Sequence, residues 1–317
     1  MQYGFTLPGR GPFATPDALS TIARHGEALG YSSLHTGDHI VVPRSIDSTY
    51  PYTEGGEFPG ADSGAYMEQL TVLTFLAGQT QAIRLATSVI IVPHRNPLVA
   101  AKALATLDVL SKGRVIVGVG VGWMQEEFEA LGLPPFKARG AVTDEYLRAF
   151  KELWTSDDPT FAGEYCRFSN ISFLPKPVQK PHPPIWVGGE SGRALRRTAQ
   201  LGDGWYPIAS NPAFPMGTPQ QLQAGLDRLA AYAEAAGRAR SEIEIIYRTH
   251  AFELQPGMSA SERTPFVGTA ADIAADIRQY EALGVSHLVV DIVRSSQTLD
   301  EILRKMEAFA MQVWPLV

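Results

Sequence analysis

Cysteine is nearly absent from this 317-residue chain: Cys166 is the only one, so no internal disulfide can form, and that usage suits a reducing, cytoplasmic setting. Lysine is also scarce, with seven among the 27 basic residues, and none falls on a predicted strand. Schiff-base chemistry, which needs a lysine aimed into a pocket, is thereby excluded. No run approaches the ~18 apolar residues of a membrane span, and no basic leader opens the chain. Nor is there a block of like charge: the net charge of −6 is spread along the sequence and argues against nucleic acid or an anionic membrane as a partner. A Gly-x-Ser-x-Gly nucleophile motif is missing. Strand one ends in Thr6-Leu7-Pro8, without the His-x-His that barrel metal hydrolases place there. Of the seven histidines, His39 and His250 are the pair that could meet, and no metal site is expected. An organic cofactor remains the economical source of chemistry.

What is present is an almost unbroken alternation of strand and helix signals. Strands are predicted at 3–6, 33–36, 84–91, 115–119, 185–187, 205–208, 243–248 and 287–291. Several are short continuous apolar runs, as in Val115-Ile116-Val117 and Leu288-Val289-Val290, the pattern of parallel strands covered on both faces. Helix starts are marked by Thr15-Pro16 and Thr218-Pro219, a capping hydroxyl before a proline at the first helical position. Thr218 with Gln221, Thr269 with Asp272 and Thr298 with Glu301 have capping-box spacing. Gly30, Gly113, Gly202, Gly237 and Gly284 stand where helices end in a left-handed residue. Eight strands interleaved with eight helices give a single (β/α)8 TIM barrel over residues 1–317, with a doubly wound open sheet as the alternative.

Three connections are long. Residues 42–66 and 122–140 follow strands two and four and are insertion loops at the C-terminal face, while 156–184 precedes strand five and contains a hairpin within 161–173. Residues just past the strand ends converge on one pocket in a barrel. They are Asp38 and His39, Ser88 and Val89, Gly120 to Trp123, Gly188 to Gly192, Arg248 to His250, and Asp291. Gly188-Gly189-Glu190-Ser191-Gly192-Arg193 runs from strand through glycines into helix, an arrangement in which N–H groups and the helix dipole hold a phosphate; it is equally compatible with a plain tight turn. Asp38 is positioned to fix the tautomer of His39 and keep it ready for proton transfer. Gly118-x-Gly120-x-Gly122 lacks Rossmann spacing and is weak as a dinucleotide motif.

Thr87-Ser88-Val89, Pro93-His94-Arg95-Asn96-Pro97, Ala105-Thr106-Leu107-Asp108, Ser111-Lys112-Gly113-Arg114 and Gly118 to Trp123, flanked by 32–39 and 188–204, resemble the bacterial luciferase-like monooxygenase superfamily, most closely its branch that uses the deazaflavin coenzyme F420. The resemblance implies a flavin-type ring across the barrel mouth with its phosphate near strand five. It implies His39 as the catalytic group beside the ring, a non-proline cis peptide at Ser88-Val89 behind it, and a phosphate cradle of Gly188, Gly189, Ser191 and Gly192. Tyr146 resembles a cofactor-contacting tyrosine, and Asp38, Glu126 and Arg193 complete the expected cofactor shell, with Glu126 where an amide is common. Trp123 stands where deazaflavin-dependent sugar-phosphate dehydrogenases carry a glutamate, which leaves an apolar substrate wall. Ala130 stands where long-chain alkane monooxygenases carry a histidine. The resemblance thus implies an oxidoreductase moving hydride between F420 and a small organic substrate, in a homodimer. Its alternatives are an FMNH2/O2-dependent monooxygenase served by a separate reductase, and a non-catalytic flavin-binding homologue. Arg95, Arg193, Arg196 and Arg197 are the expected basic path for an anionic cofactor tail.

Overall fold

A computed structural model of the chain describes residues 1–317 apart from 62–63, 256, 259–262 and 295. Eight parallel strands close into a barrel: β1 (Gln2–Thr6), β2 (Ser33–Thr36), β3 (Arg84–Thr87), β4 (Val115–Gly120), β5 (Ile185–Gly188), β6 (Gly204–Tyr206), β7 (Glu244–Arg248) and β8 (His287–Val290). Each pairs with its sequence neighbours, and β1 pairs with β8 to complete the ring. The helices that cover it are α1 (Pro16–Ala28), α2 (Gln69–Ala77), α3 (Pro97–Leu110), α4 (Arg139–Thr155), α5 (Gly192–Leu201), α6 (Pro219–Ala235), α7 (Ala270–Ala282) and α8 (Leu299–Ala308). The (β/α)8 barrel expected from the alternation is therefore the fold, and the open sheet is set aside by the β1–β8 ladder.

Local chemistry explains the element ends. Thr15, Thr218, Thr269 and Thr298 each accept a hydrogen bond from the third residue on, and the full reciprocal box forms at Thr218/Gln221 and Thr269/Asp272. At Thr298 the box is half made, because Glu301 turns back to the Gln297 N–H instead. Gly202 departs from expectation: its φ is −92°, not left-handed. A glycine is needed there for space, since a Cβ would come within 2.8 Å of the Val187 side chain.

Strand three is not continuous over 84–91. It stops at Thr87, the Ser88–Val89 peptide is cis, and Ile90–Ile91 resumes as a separate short pairing with β4. The break throws the Val89 side chain inward over a floor of glycines. A Cβ on Gly120 would lie 2.5 Å from Val89 Cγ2, one on Gly188 3.0 Å from Val89 Cγ1, and one on Gly118 2.1 Å from the Thr87 carbonyl oxygen. The Gly118-x-Gly120 pair therefore answers to the bulge on the neighbouring strand and not to a nucleotide.

Below this shelf the barrel is filled by Ala86, Ile116, Trp186, Tyr206, Ile246 and Val289. One polar chain threads that packing: Ser88 Oγ to Tyr206 Oη (3.0 Å), Tyr206 Oη to His35 Nδ1 (3.3 Å), and His35 Nε2 and His287 Nε2 to Ser33 Oγ (2.8 and 2.7 Å). Burial drives both imidazoles far down, His287 to about 3, so the chain is held by neutral partners.

The glycine floor makes a direct prediction. Gly118→Ala sets a methyl against backbone that cannot rotate away, so it should cost about 3 kcal/mol or more, at or above the upper end for overpacking. Urea denaturation measures this, and a loss below about 1 kcal/mol would show that the shelf yields freely.

Candidate active site

The mouth of the barrel is organised by Glu127, one position beyond the Glu126 expected from the sequence. Glu127 lies on a short helix, Gln125–Ala130, just past β4, and is fully buried. Its Oε2 accepts from His39 Nδ1 at 2.7 Å, and its Oε1 accepts from the N–H groups of Ile40 (2.8 Å) and Val41 (3.2 Å). Burial pushes this carboxyl up, but the His39 bond, the neighbouring imidazoles and the Ile40 N–H outweigh it and hold the pKa below the usual range. An ionised carboxylate only accepts, so Nδ1 must carry the proton and Nε2 is the atom left for the pocket. His94 stands on the other side, its Nδ1 3.7 Å from Glu127 Oε1. Burial lowers its pKa to about 4, and neither ring nitrogen has a hydrogen-bond partner.

Asp38 does not orient His39. Its carboxylate takes a two-pronged ion pair from Arg95 (2.7 and 2.8 Å) and the Ile91 N–H at 2.9 Å, so it fastens the resumed end of strand three. Glu126 points the other way from Glu127 and accepts from the N–H groups of Asp47 and Ser48, pinning the loop that follows β2. A signal for the right carboxylate was available: Met124 and Phe128 are the buried residues of this turn, and Glu127 shares their side of the helix while Glu126 does not.

That loop supplies an aromatic wall. The His39 ring lies 5.0 Å from Phe58, 4.9 Å from Tyr66 and 6.2 Å from Trp123, and Trp123 packs in turn on Phe58 and Tyr50 at 5.1 Å each. Trp123 is thus at the apolar wall where the strand-four exit places it. His250 is elsewhere, beside Arg294, and among the described residues no cluster of three potential metal ligands occurs.

Across the mouth, α5 begins at the strand-five turn. Gly189 has φ +107°, and Ser191 caps the helix by accepting from Ala194 N at 3.3 Å. The N–H groups of Gly192 and Arg193 open the helix and have no intrahelical acceptor. A Cβ on Gly192 would sit 2.7 Å from Tyr232 Oη and 3.9 Å from Arg228 Nη2, so a phenol and a guanidinium from α6 flank the helix start. Arg139, at the head of α4, bonds the carbonyls of Gly122 and Phe136 and feels the charge of Arg193. Arg139, Arg193 and Arg228 therefore put positive charge on an N-terminus whose dipole already favours an anion. Arg193 follows the glycine turn in sequence, whereas Arg139, Arg228 and Tyr232 reach it from other helices and carry no local signal. Of the expected basic path, Arg95 is taken by Asp38 and Glu68, Arg197 is ion-paired with Asp144, and Arg196 lies over the Tyr232 ring. Tyr146 is buried in the core on α4, beside the neutral Cys166 thiol and near the Glu145 carboxylate.

Glu190 turns away from the cradle: it is buried and accepts from Ile208 N (2.9 Å) and Asn211 Nδ2 (2.6 Å).

With this geometry in view, the sequence profile of the Luciferase-like monooxygenase family matches residues 1–253. The chain belongs to that family. Among its relatives is an uncharacterized protein of Mycobacterium tuberculosis (strain ATCC 25618 / H37Rv), 34% identical over 206 residues, covering 65% of this chain and 71% of that protein. An FMNH(2)-dependent dimethylsulfone monooxygenase of Pseudomonas putida is 35% identical over 182 residues, covering 57% of this chain and 47% of the other. Among solved structures, the coenzyme F420 dependent tetrahydromethanopterin reductase of Methanopyrus kandleri superposes with a TM-score of 0.76 at 16% identity, covering 99% of this chain and 98% of the other, a likeness of fold. The family comprises oxidoreductases and monooxygenases, and this chain is an enzyme of that type.

The buried Glu190 carboxyl yields a pH prediction. Burial raises its pKa to about 7 against 4.5 when exposed, even though Ile208 N and Asn211 work in the opposite direction. Between those values the folded chain holds a proton that the unfolded chain has lost, so stability falls as pH rises from about 4.5 to about 7, by up to about 3 kcal/mol. Glu190→Gln should flatten that part of the stability–pH curve. An unchanged slope in chemical denaturation across this window would refute the assignment.

Proposed function

We propose that the protein is an oxidoreductase that seats a flavin-type redox ring on the Val89 shelf, with its phosphate at the start of α5 and His39 beside the reacting edge. The whole chain, 1–317, serves as one luciferase-like barrel domain, and a cytoplasmic setting fits its single buried free thiol. The observation that carries the reading is the His39–Glu127 pair at the barrel mouth beside the Val89 shelf, with a cationic helix N-terminus at the strand-five exit. The residues fit such a group. Gly118, Gly120 and Gly188 make room for the strand-three bulge, Ser88 and Val89 form the shelf, and Asp38 braces it through Ile91. Gly188, Gly189, Ser191, Gly192 and Arg193, with Arg139, Arg228 and Tyr232, offer donors and positive charge to a phosphate. Glu126 and Tyr146 act at a distance, the first by holding the loop over the mouth and the second from within α4.

We favour the deazaflavin F420 as the coenzyme, which when bound supplies or accepts a hydride. A hydride moved to or from a small organic molecule is accompanied by a proton, and the chain provides for it. Glu127 holds Nδ1–H, so Nε2 of His39 gives or takes the proton at a substrate heteroatom. Phe58, Tyr66 and Trp123 exclude water from that contact and form the apolar substrate wall. A second reading, an FMNH2- and O2-dependent monooxygenase fed by a separate reductase, is favoured by the 35% identity to the Pseudomonas putida enzyme.

Fluorescence titration of the purified chain with F420 and with FMN separates the two. Micromolar affinity for the deazaflavin and much weaker affinity for FMN is the expected result; the reverse selects the monooxygenase. On the favoured reading, His39→Ala should retain cofactor affinity while kcat falls by about 10²- to 10⁴-fold, and Glu127→Gln should lower kcat by a smaller factor and shift its pH profile. Full turnover by His39→Ala would remove the proton role.

We also propose a homodimer. α3 exposes Val99 and Leu110 three turns apart on one face, next to exposed Phe75 of α2 and exposed Leu174 and Val178, whose segment is bonded to α3 through Lys102 and Asp108. An apolar face of this kind suits a second copy of the chain. Light scattering should give twice the chain mass, and the double variant Val99→Glu/Leu110→Glu should give the monomer.

A further inference from the structure

The side of the mouth formed by β7, β8 and the exit of β1 holds a charged group that the redox reading leaves unused. Ile246 lines the barrel interior, so Arg248, two residues on, also turns inward at the rim. Its Nη2 donates to Asp291 Oδ2 at 2.8 Å, while Asp291 Oδ1 accepts from Thr6 Oγ1 at 3.0 Å. The Nε–H of Arg248 is buried and has no hydrogen-bond partner. Arg294 lies 3.4 Å from His250 Nδ1, and burial together with this guanidinium lowers the imidazole's pKa, so the contact does not neutralise the charge. Arg10 stands over the Tyr66 ring, 5.9 Å from its centre, and bonds its phenol.

These three guanidiniums converge electrostatically on one group, the Tyr50 hydroxyl, and Asp291 is the carboxylate that acts there with them. Tyr50 is also the link to the reacting side, because its ring packs on Trp123 (5.1 Å) and Phe58 (5.3 Å), both of which wall His39. One continuous surface thus runs from the proton-handling imidazole, along aromatic rings, to an excess of guanidinium charge with an unused N–H. Such a surface complements a molecule that is apolar along its body and anionic at one end.

We infer that the substrate is an organic oxyanion, a carboxylate or sulfonate on an apolar body, whose head is held by Arg248, Arg294 and Arg10 while its body lies along Tyr50, Phe58 and Trp123. This rests on the reading of His39 as the reacting end. It names the substrate class that reading left open, and places the head on the opposite side of the mouth from the phosphate cradle.

Calorimetric titration of the full chain with hexanoate, hexanesulfonate and hexan-1-ol, each with and without saturating cofactor, tests it. The two anions should bind at least about tenfold more tightly than the alcohol, and Arg294→Gln and Arg10→Gln should each weaken anion binding several-fold while leaving the alcohol unchanged. Equal affinity for anion and alcohol, no binding of any of the three, or folded variants that keep anion affinity would each overturn the inference. Titrating the same variants with F420 and FMN separates the remaining source of negative charge. Affinity for F420 lost while that for FMN is kept would assign the guanidiniums to the coenzyme's tail and also overturn it. If neither coenzyme binds the wild-type chain but the anions do, the redox reading fails and the anion site stands.

Discussion

Glu127 is the interaction on which the mouth of this barrel depends. Burying a carboxylate completely is costly, and the charge survives only because three donors are brought to it. Those donors belong to the exit of β2, the carboxylate to the exit of β4, and His94, packed beside it, to the link between β3 and α3. One buried charge thereby ties the exits of β2 and β4 together and sets the tautomer of the His39 imidazole between them. Asp38 repeats the device one step away, with Arg95 and the Ile91 N–H. Asp38 locks the strand-three break in place, and Glu127 aims His39 beside it.

The charge layout divides the mouth into three. At one side the start of α5 is cationic through Arg139, Arg193 and Arg228, which come from three different helices. At the centre the floor is glycine and Val89, without formal charge. At the other side Arg248, Arg294 and Arg10 outnumber Asp291. A net acidic chain has thus concentrated positive charge at two places on its active face, in keeping with anionic ligands and a neutral ring between them.

The barrel was legible because its signals are local. Val115-Ile116-Val117 is a buried strand by composition, and Thr218-Pro219 with Gln221 is a helix start by hydrogen-bond chemistry. The glycine turn after strand five was legible for the same reason. What escaped were features whose cause lies on another element, distant in sequence. Arg84–Ile91 reads as one apolar strand by composition; the cis peptide at Ser88-Val89 came from the family resemblance and is present, while the compensating glycines on β4 and β5 were not foreseen. Asp38 is adjacent to His39 in sequence and seemed its natural partner, but alternation along the strand exit points it to Arg95. Gly202 was assigned a left-handed turn from its place after a helix, whereas the Val187 side chain is what excludes a Cβ there. Arg228 and Tyr232 lie in the middle of an amphipathic helix, where they look like ordinary solvent-facing residues.

The Val89 shelf has a consequence for how this protein can diversify. The valine and the glycines at 118, 120 and 188 come from three consecutive strand segments. A side chain added at 120 or 188 meets Val89, whereas one added at 118 meets the Thr87 carbonyl, a barrier that no side-chain change elsewhere lifts. The floor of the pocket is therefore held nearly fixed during divergence, whereas the wall built by residues 42–66 is free to drift. New specificities in such a scaffold should arise through the loop, with the hollow beneath inherited intact.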